Sequence, residues 1–284
     1  MRPFRWNIAR REQLGSLLFG GPVSAYPQFV DDLGICAARL LARCGDADRL
    51  VFVGRSPESL FDYLSGLLAG TTWEDRLMLL NVSYRVLKTR PGLNLSDADL
   101  AALHAHFSAS GIAPSQIEHD RNALTFIDLV SSGGTMEFLH EVMHRWAGEA
   151  GIAPSAIRNR LRYLGITERT RNSPNTWRWW QHADWLNGYS SRAVINVSVP
   201  SRMWQYMGNY QPKVGHWNPP WRWSDPAQQR PPRRGSQMAA LQLAVHLYDA
   251  GCSRTHRERL VKRMVRTGGM KERWFRALVG ELRG

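Results

Sequence analysis

Residues 124–135, Leu-Thr-Phe-Ile-Asp-Leu-Val-Ser-Ser-Gly-Gly-Thr, constrain the fold of this chain more than any other stretch. An apolar run rich in β-formers, Leu124 to Val130, stops at a short hydroxyl- and glycine-rich segment, and a helical pattern follows from Met136 to Ala150. That succession reads as a buried strand, a tight loop and a helix N-terminus. Two glycines leave backbone N–H groups open to a ligand, and three hydroxyls can converge on it. With the helix dipole, they make a cradle for a phosphate dianion. Asp128, near the strand end, is placed to hold ribose hydroxyls or Mg2+ beside that phosphate. The same residues also suit any Rossmann-like strand–loop–helix unit with a serine-glycine turn.

A second unit of this kind lies upstream. Arg49-Leu50-Val51-Phe52-Val53 is a short apolar strand, Gly54-Arg55-Ser56-Pro57-Glu58 a turn, and Ser59–Ala69 a helix with apolar residues at 60, 61, 64, 67 and 68. Pro57 and Glu58 suit a first helical turn. Between the two units, Arg76–Arg85 reads as a strand running into a polar segment, Val86 to Asp97.

The segment Asp128-Leu129-Val130-Ser131-Ser132-Gly133-Gly134-Thr135 resembles the PRPP-binding signature of the type I phosphoribosyltransferases. That signature runs apolar residues, a pair of acids, two apolar residues, then Thr/Ser-Thr/Ser-Gly-Gly-Thr. One position departs from it: Ile127 stands where the first acid belongs, leaving a single carboxylate. The resemblance implies that residues 131–135 hold the 5′-phosphate of PRPP and that Asp128 engages the ribose diol and Mg2+. It implies that Gly54, Arg55 and Ser56, with Ser83 and Tyr84, bind the pyrophosphate. In purine-type members the second core strand leads into a mobile catalytic loop beginning Ser-Tyr, as Ser83-Tyr84 does here. Arg85, with Lys88 and Arg90, would bring positive charge to the leaving pyrophosphate as that loop closes.

The expected fold is therefore α/β: a parallel sheet with helices on both faces, a phosphoribosyltransferase-like core, plus an aromatic hood and C-terminal helices. The expected organisation is core and lead-in over 1–170, a Trp-rich hood over 171–226 and a basic helical region over 227–284. The implied activity is glycosyl transfer, a nitrogenous base displacing pyrophosphate from PRPP, with Asp128 and Arg85 as catalytic residues and Mg2+ as cofactor. An alternative is a non-catalytic PRPP- or nucleotide-sensing protein that binds nucleic acid. A homodimer stays open.

Composition narrows the classes further. The chain has 284 residues, 43% of them hydrophobic, enough for one large core. It has no apolar run of membrane-spanning length, and Met1–Trp6 lacks the apolar core of a secretory signal, so the expectation is cytoplasmic with no membrane partner. Cys36, Cys44 and Cys252 are scattered without a CxxC and are expected to pack rather than bridge. Net charge is +13, and residues 226–284 hold 13 Lys/Arg against 4 Asp/Glu. Such a field favours anionic partners without choosing among PRPP, nucleotides and nucleic acid.

Other elements follow from local pattern. Phe29–Arg43 is an amphipathic helix, and Ser96-Asp97-Ala98-Asp99 caps another running to Ser110. The sequence Gly-Ile-Ala-Pro-Ser occurs at 111–115 and at 151–155, recurring turn-and-cap chemistry. Arg162–Thr167 and Ala193–Val199 read as further strands. Eight of the twelve tryptophans lie between residues 173 and 226, suited either to stacking a base or to building a small core. Three helices are expected over 237–250, 254–266 and 270–282.

One motif competes. His140-Glu141-Val142-Met143-His144 matches H-E-x-x-H, in which histidines at i and i+4 bind Zn2+ and the glutamate acts as general base. The metzincin continuation is absent, and Glu168 is a candidate third ligand. A zinc hydrolase is the second alternative.

Overall fold

The computed structural model describes residues 5–18, 25–46, 48–82, 96–120, 122–169, 178–213, 233 and 235–284. Its centre is a five-stranded, all-parallel sheet: β1 (Arg49–Val53), β2 (Leu77–Leu80), β3 (Leu124–Leu129), β4 (Leu161–Glu168) and β5 (Val194–Val199). The spatial order is β2-β1-β3-β4-β5. Strands buried on both faces need apolar side chains at nearly every position, which is what β1 and β3 supply. Leu50 and Phe52 enter one core cluster and Val51 and Val53 the other, as the two-residue period of a strand requires.

Helices cover both faces. On the first lie α1 (Phe29–Leu41) and α2 (Glu58–Leu68); on the second lie α3 (Asp97–Ala109), α4 (Pro114–His119), α5 (Gly134–Glu149) and α6 (Pro154–Arg158). The Ser96 cap is present as expected: its hydroxyl accepts from Asp99 N, and the Asp99 carboxylate accepts from Ser96 N. The repeated Gly-Ile-Ala-Pro-Ser segments do the same work twice. Gly111 and Gly151 take φ of 72° and 71°, and Ile112 and Ile152 return their N–H to Phe107 and Ala147. Each then opens a short helix at its proline.

The strand expected at 193–199 is the fifth strand of the sheet, so the Trp-rich segment shares the core rather than merely following it. Beyond it come α7 (Ser201–Gln205) and a π-helical turn, Tyr206–Tyr210. The C-terminal helices α8 (Gly235–Cys252), α9 (Arg254–Met264) and α10 (Arg273–Glu281) pack on the first face. Helices α2 and α8 meet almost backbone to backbone: a Cβ on Gly66 would lie 1.9 Å from Tyr248 O, and one on Gly251 2.3 Å from Tyr63 O. Part of the tail's positive charge is structural. Arg263 pairs with Asp31 at 3.1 Å, and Arg257 donates to the carbonyls of Gly66 and Ala69 near the end of α2. All three cysteines are free, Cys36 and Cys44 within the core. Among the described residues no helix is long and apolar enough to cross a membrane.

Candidate functional site

The strand order reverses between β1 and β3, which are neighbours although β2 lies between them in sequence. Such a reversal opens a crevice at the carboxyl ends of the two strands, where α/β proteins bind ligands. Here the loops after β1 and β3 line one cleft of about 280 Å3. Gly54, Arg55 and Ser56 form one wall, and Asp128, Leu129, Val130, Ser131, Ser132, Gly133, Gly134 and Thr135 the other. The expected phosphate and pyrophosphate loops are thus brought together. Val82 also lines the cleft, but Ser83, Tyr84, Arg85, Lys88 and Arg90 lie outside the described residues.

Each loop has its shape for a local reason. Gly54 takes φ of 71°, and a Cβ there would sit 2.9 Å from Val82 O. Only glycine meets both conditions. Gly133 takes φ of 88° and ends the β3 loop, so α5 begins at Gly134 with its unpaired N–H groups facing the cleft end of the sheet. Leu129 and Val130 diverge: the first packs against one core cluster, the second enters the other, so both anchor the loop by their side chains. Ile127, in the place of the missing acid, is fully buried on the face opposite Val130.

Asp128 is only 8% exposed. Burial pushes its carboxyl up to about 7, opposed by the Leu129 N–H, the Thr135 hydroxyl and the charge of Lys213. Thr135 is therefore turned toward Asp128. In register Asp128 stands beside Gly165 of β4, and the space over Gly165 is filled by Trp179, whose Nε1 lies 2.3 Å from a Cβ built there. The same indole would lie 3.1 Å from a Cβ on Gly133. Trp179 thus supports the loop from behind. Glycine within a strand marks such an approach, and this was the one sequence signal available for it.

Three residues of the site escaped sequence reasoning. Lys213 reaches the cleft, donates to Met207 O, and is held down to about 7 by burial and by Arg55, against the opposing charges of Glu58 and Asp128. Gly208 of the π-helical turn lines the same space. Gln211, 4% exposed, donates through Nε2 to Arg55 O at 3.2 Å and Ser56 O at 2.9 Å and accepts from the Ser59 hydroxyl. A lone lysine or glutamine in an irregular segment carries no periodic signal.

Three of the described tryptophans build structure. Trp179 is 1% exposed, Trp185 packs on Tyr163 and His140, and Trp204 donates to Ile166 O at 3.2 Å. Among the described residues no tryptophan lines the cleft, while Trp177, Trp217, Trp221 and Trp223 lie outside them. The H-E-x-x-H histidines sit on α5 with both rings engaged. His140 Nδ1 is 3.2 Å from the hydroxyls of Tyr163 and Tyr189, and His144 Nε2 is 2.9 Å from Tyr189. Burial first, and the neighbouring charges of His144 and Arg158, push His140 down to about 4. Among the described residues no group of three His, Cys, Asp or Glu side chains is placed to hold a metal, and Glu168 is bonded by Ser201.

No protein-family model, no curated protein and no solved structure matches this chain.

Proposed function

We propose that the cleft binds PRPP or a related ribose 5-phosphate compound and that the protein transfers the phosphoribosyl group to a nitrogenous base with release of pyrophosphate. The observation that carries this reading is the convergence of two glycine loops, a helix N-terminus and one acid at the crevice between β1 and β3. Residues 131–135 would hold the 5′-phosphate by N–H and hydroxyl donors. Gly54, Arg55 and Ser56 would take the pyrophosphate, with Lys213 between the two. Asp128 would bond the ribose diol. Catalysis would rest on holding C1 in line between base and leaving group, and on positive charge at the pyrophosphate.

Mg2+ ordinarily binds through one or two carboxylates and the substrate's own phosphates. The donor set here has one carboxylate, already accepting from Leu129 N at 2.7 Å, which fits Mg2+ carried in on the diphosphate. Bound so, the ion would neutralise charge on the leaving group.

Titration calorimetry with PRPP and Mg2+ tests binding, and pyrophosphate release with a panel of bases tests transfer. Absence of any PRPP binding would sink the reading. A second reading is favoured by Ile127: with a core residue where an acid pair would be completed, the cleft suits a PRPP- or nucleotide-sensing protein without turnover. Tight binding without pyrophosphate release for any acceptor would select it.

A further inference from the structure

A second concavity, of about 560 Å3, lies at the β5 edge of the sheet and shares no lining residue with the cleft. Its volume is within the roughly 300–1,000 Å3 typical of small-ligand sites. Four arginines surround it: Arg39 and Arg43 at the end of α1, Arg169 directly after β4, and Arg178. The half-buried Trp180 supplies its aromatic wall.

The charge there is unbalanced. No Asp or Glu is among the described residues lining it, and among the described residues none of the four arginines is in an ion pair. Elsewhere the same fold neutralises its arginines closely, as Arg202 on Asp32 at 2.9 Å, Arg162 on Asp48 at 3.0 Å and Arg263 on Asp31 at 3.1 Å. Arg39 donates to Ser198 O at 2.9 Å, which fixes one guanidinium on the edge strand, and Arg178 lies 5.7 Å from the Trp180 ring centre. All four guanidinium groups are exposed, so solvent screens their mutual repulsion, and an anion seated among them would relieve the remainder, since guanidinium forks match phosphate oxygens in pairs.

We propose that this concavity is a second binding site that takes a nucleotide unit, its phosphate on the arginines and its base against Trp180. Phosphate recognition by arginine together with stacking on an aromatic ring is the chemistry by which single strands are held without sequence readout. A free nucleotide presents the same groups. The site is independent of the reading of the cleft.

The test uses the full chain and three variants: Arg43→Glu/Arg169→Glu, Trp180→Leu, and a charge-matched control, Arg145→Glu/Arg254→Glu, whose residues are exposed and line neither cavity. Fluorescence anisotropy with a labelled short oligonucleotide, over a salt series, reads strand binding. Calorimetry with adenosine diphosphate reads the free nucleotide. For a strand, Arg43→Glu/Arg169→Glu loses affinity about tenfold or more and its salt slope falls by about 1.4, two phosphate contacts at 0.7 each. Trp180→Leu weakens binding while leaving that slope in place. For a free nucleotide, adenosine diphosphate binds as tightly as the strand and the arginine variant loses both. Equal loss in the control would reduce the effect to net charge and overturn the proposal, as would full competition by polyglutamate.

Discussion

Gln211 donates through its side-chain amide to the Ser56 carbonyl at 2.9 Å, across 155 residues of sequence, and so clamps the β1 loop to the segment that carries Gly208 and Lys213. The β1 wall of the cleft is thereby tied to the 208–213 segment. Loop positions set by a single buried side chain are the weak point of such an arrangement.

Gln211→Ala should leave the Arg55 and Ser56 carbonyls and the Ser59 hydroxyl without their buried partner. The expected cost is roughly 1–3 kcal/mol for unsatisfied groups of this kind. Urea denaturation measures it. Phosphate binding should weaken in the same variant because the loop loses its fixed position. A variant that melts and binds like the parent would show that the clamp is ornamental.

Gly165→Ala should cost about 1–3 kcal/mol by overpacking, because the new methyl would meet Trp179, which is 1% exposed and closely confined. The emission of the buried indole should shift as it is displaced. Gly66→Ala should be worse, since there the obstacle is the Tyr248 backbone at 1.9 Å rather than a side chain.

Asp128→Asn should raise stability in a pH-dependent way. Burial lifts this carboxyl from an ordinary 3.8 to about 7, so the native state keeps a proton that the unfolded chain has released. The group's contribution is full below 3.8 and is lost as pH rises through 7. Asparagine is free of that loss. Thermal melts from acid to pH 8 should show the variant's advantage growing through this interval and then levelling. A constant difference across it would contradict the buried-acid account.

Lys213→Met should make anion binding at the cleft less dependent on pH. With the ammonium held down to about 7 by burial, its charge is present below that value and fades above it. Anion binding to the parent protein should weaken as pH passes 7, beyond what the ligand's own titration explains. The variant should bind at least tenfold more weakly at pH 6, in line with the roughly 1.5–3 kcal/mol of a charge-assisted bond, and show a shallower trend, the remainder coming from Asp128, which ionises over the same interval.

The parts of this site that could be read in the sequence are those whose chemistry is local. A strand buried on both faces must be apolar, and a loop that exposes N–H groups must be rich in glycine, so residues 49–56 and 124–135 announced both strand–loop elements. The Ser96 cap and the two Gly-Ile-Ala-Pro-Ser turns were legible for the same reason: hydrogen bonds between residues three to five apart are written within one short segment. The fifth strand was legible as a strand, though not as a member of this sheet.

What only the tertiary structure decided is which distant residues share a space. Parallel pairing of β1 with β3 brings Gly54 beside Asp128, a matter of strand order that no periodicity encodes. The entry of Lys213 and Gln211, the seating of Trp179 over Gly165, and the arginine-lined hollow around Trp180 arise from segments that meet only after the sheet has closed. The raised pKa of Asp128 belongs to the same class. An aspartate is acidic by its own chemistry, and the water that keeps it so is excluded by neighbours the local sequence does not name.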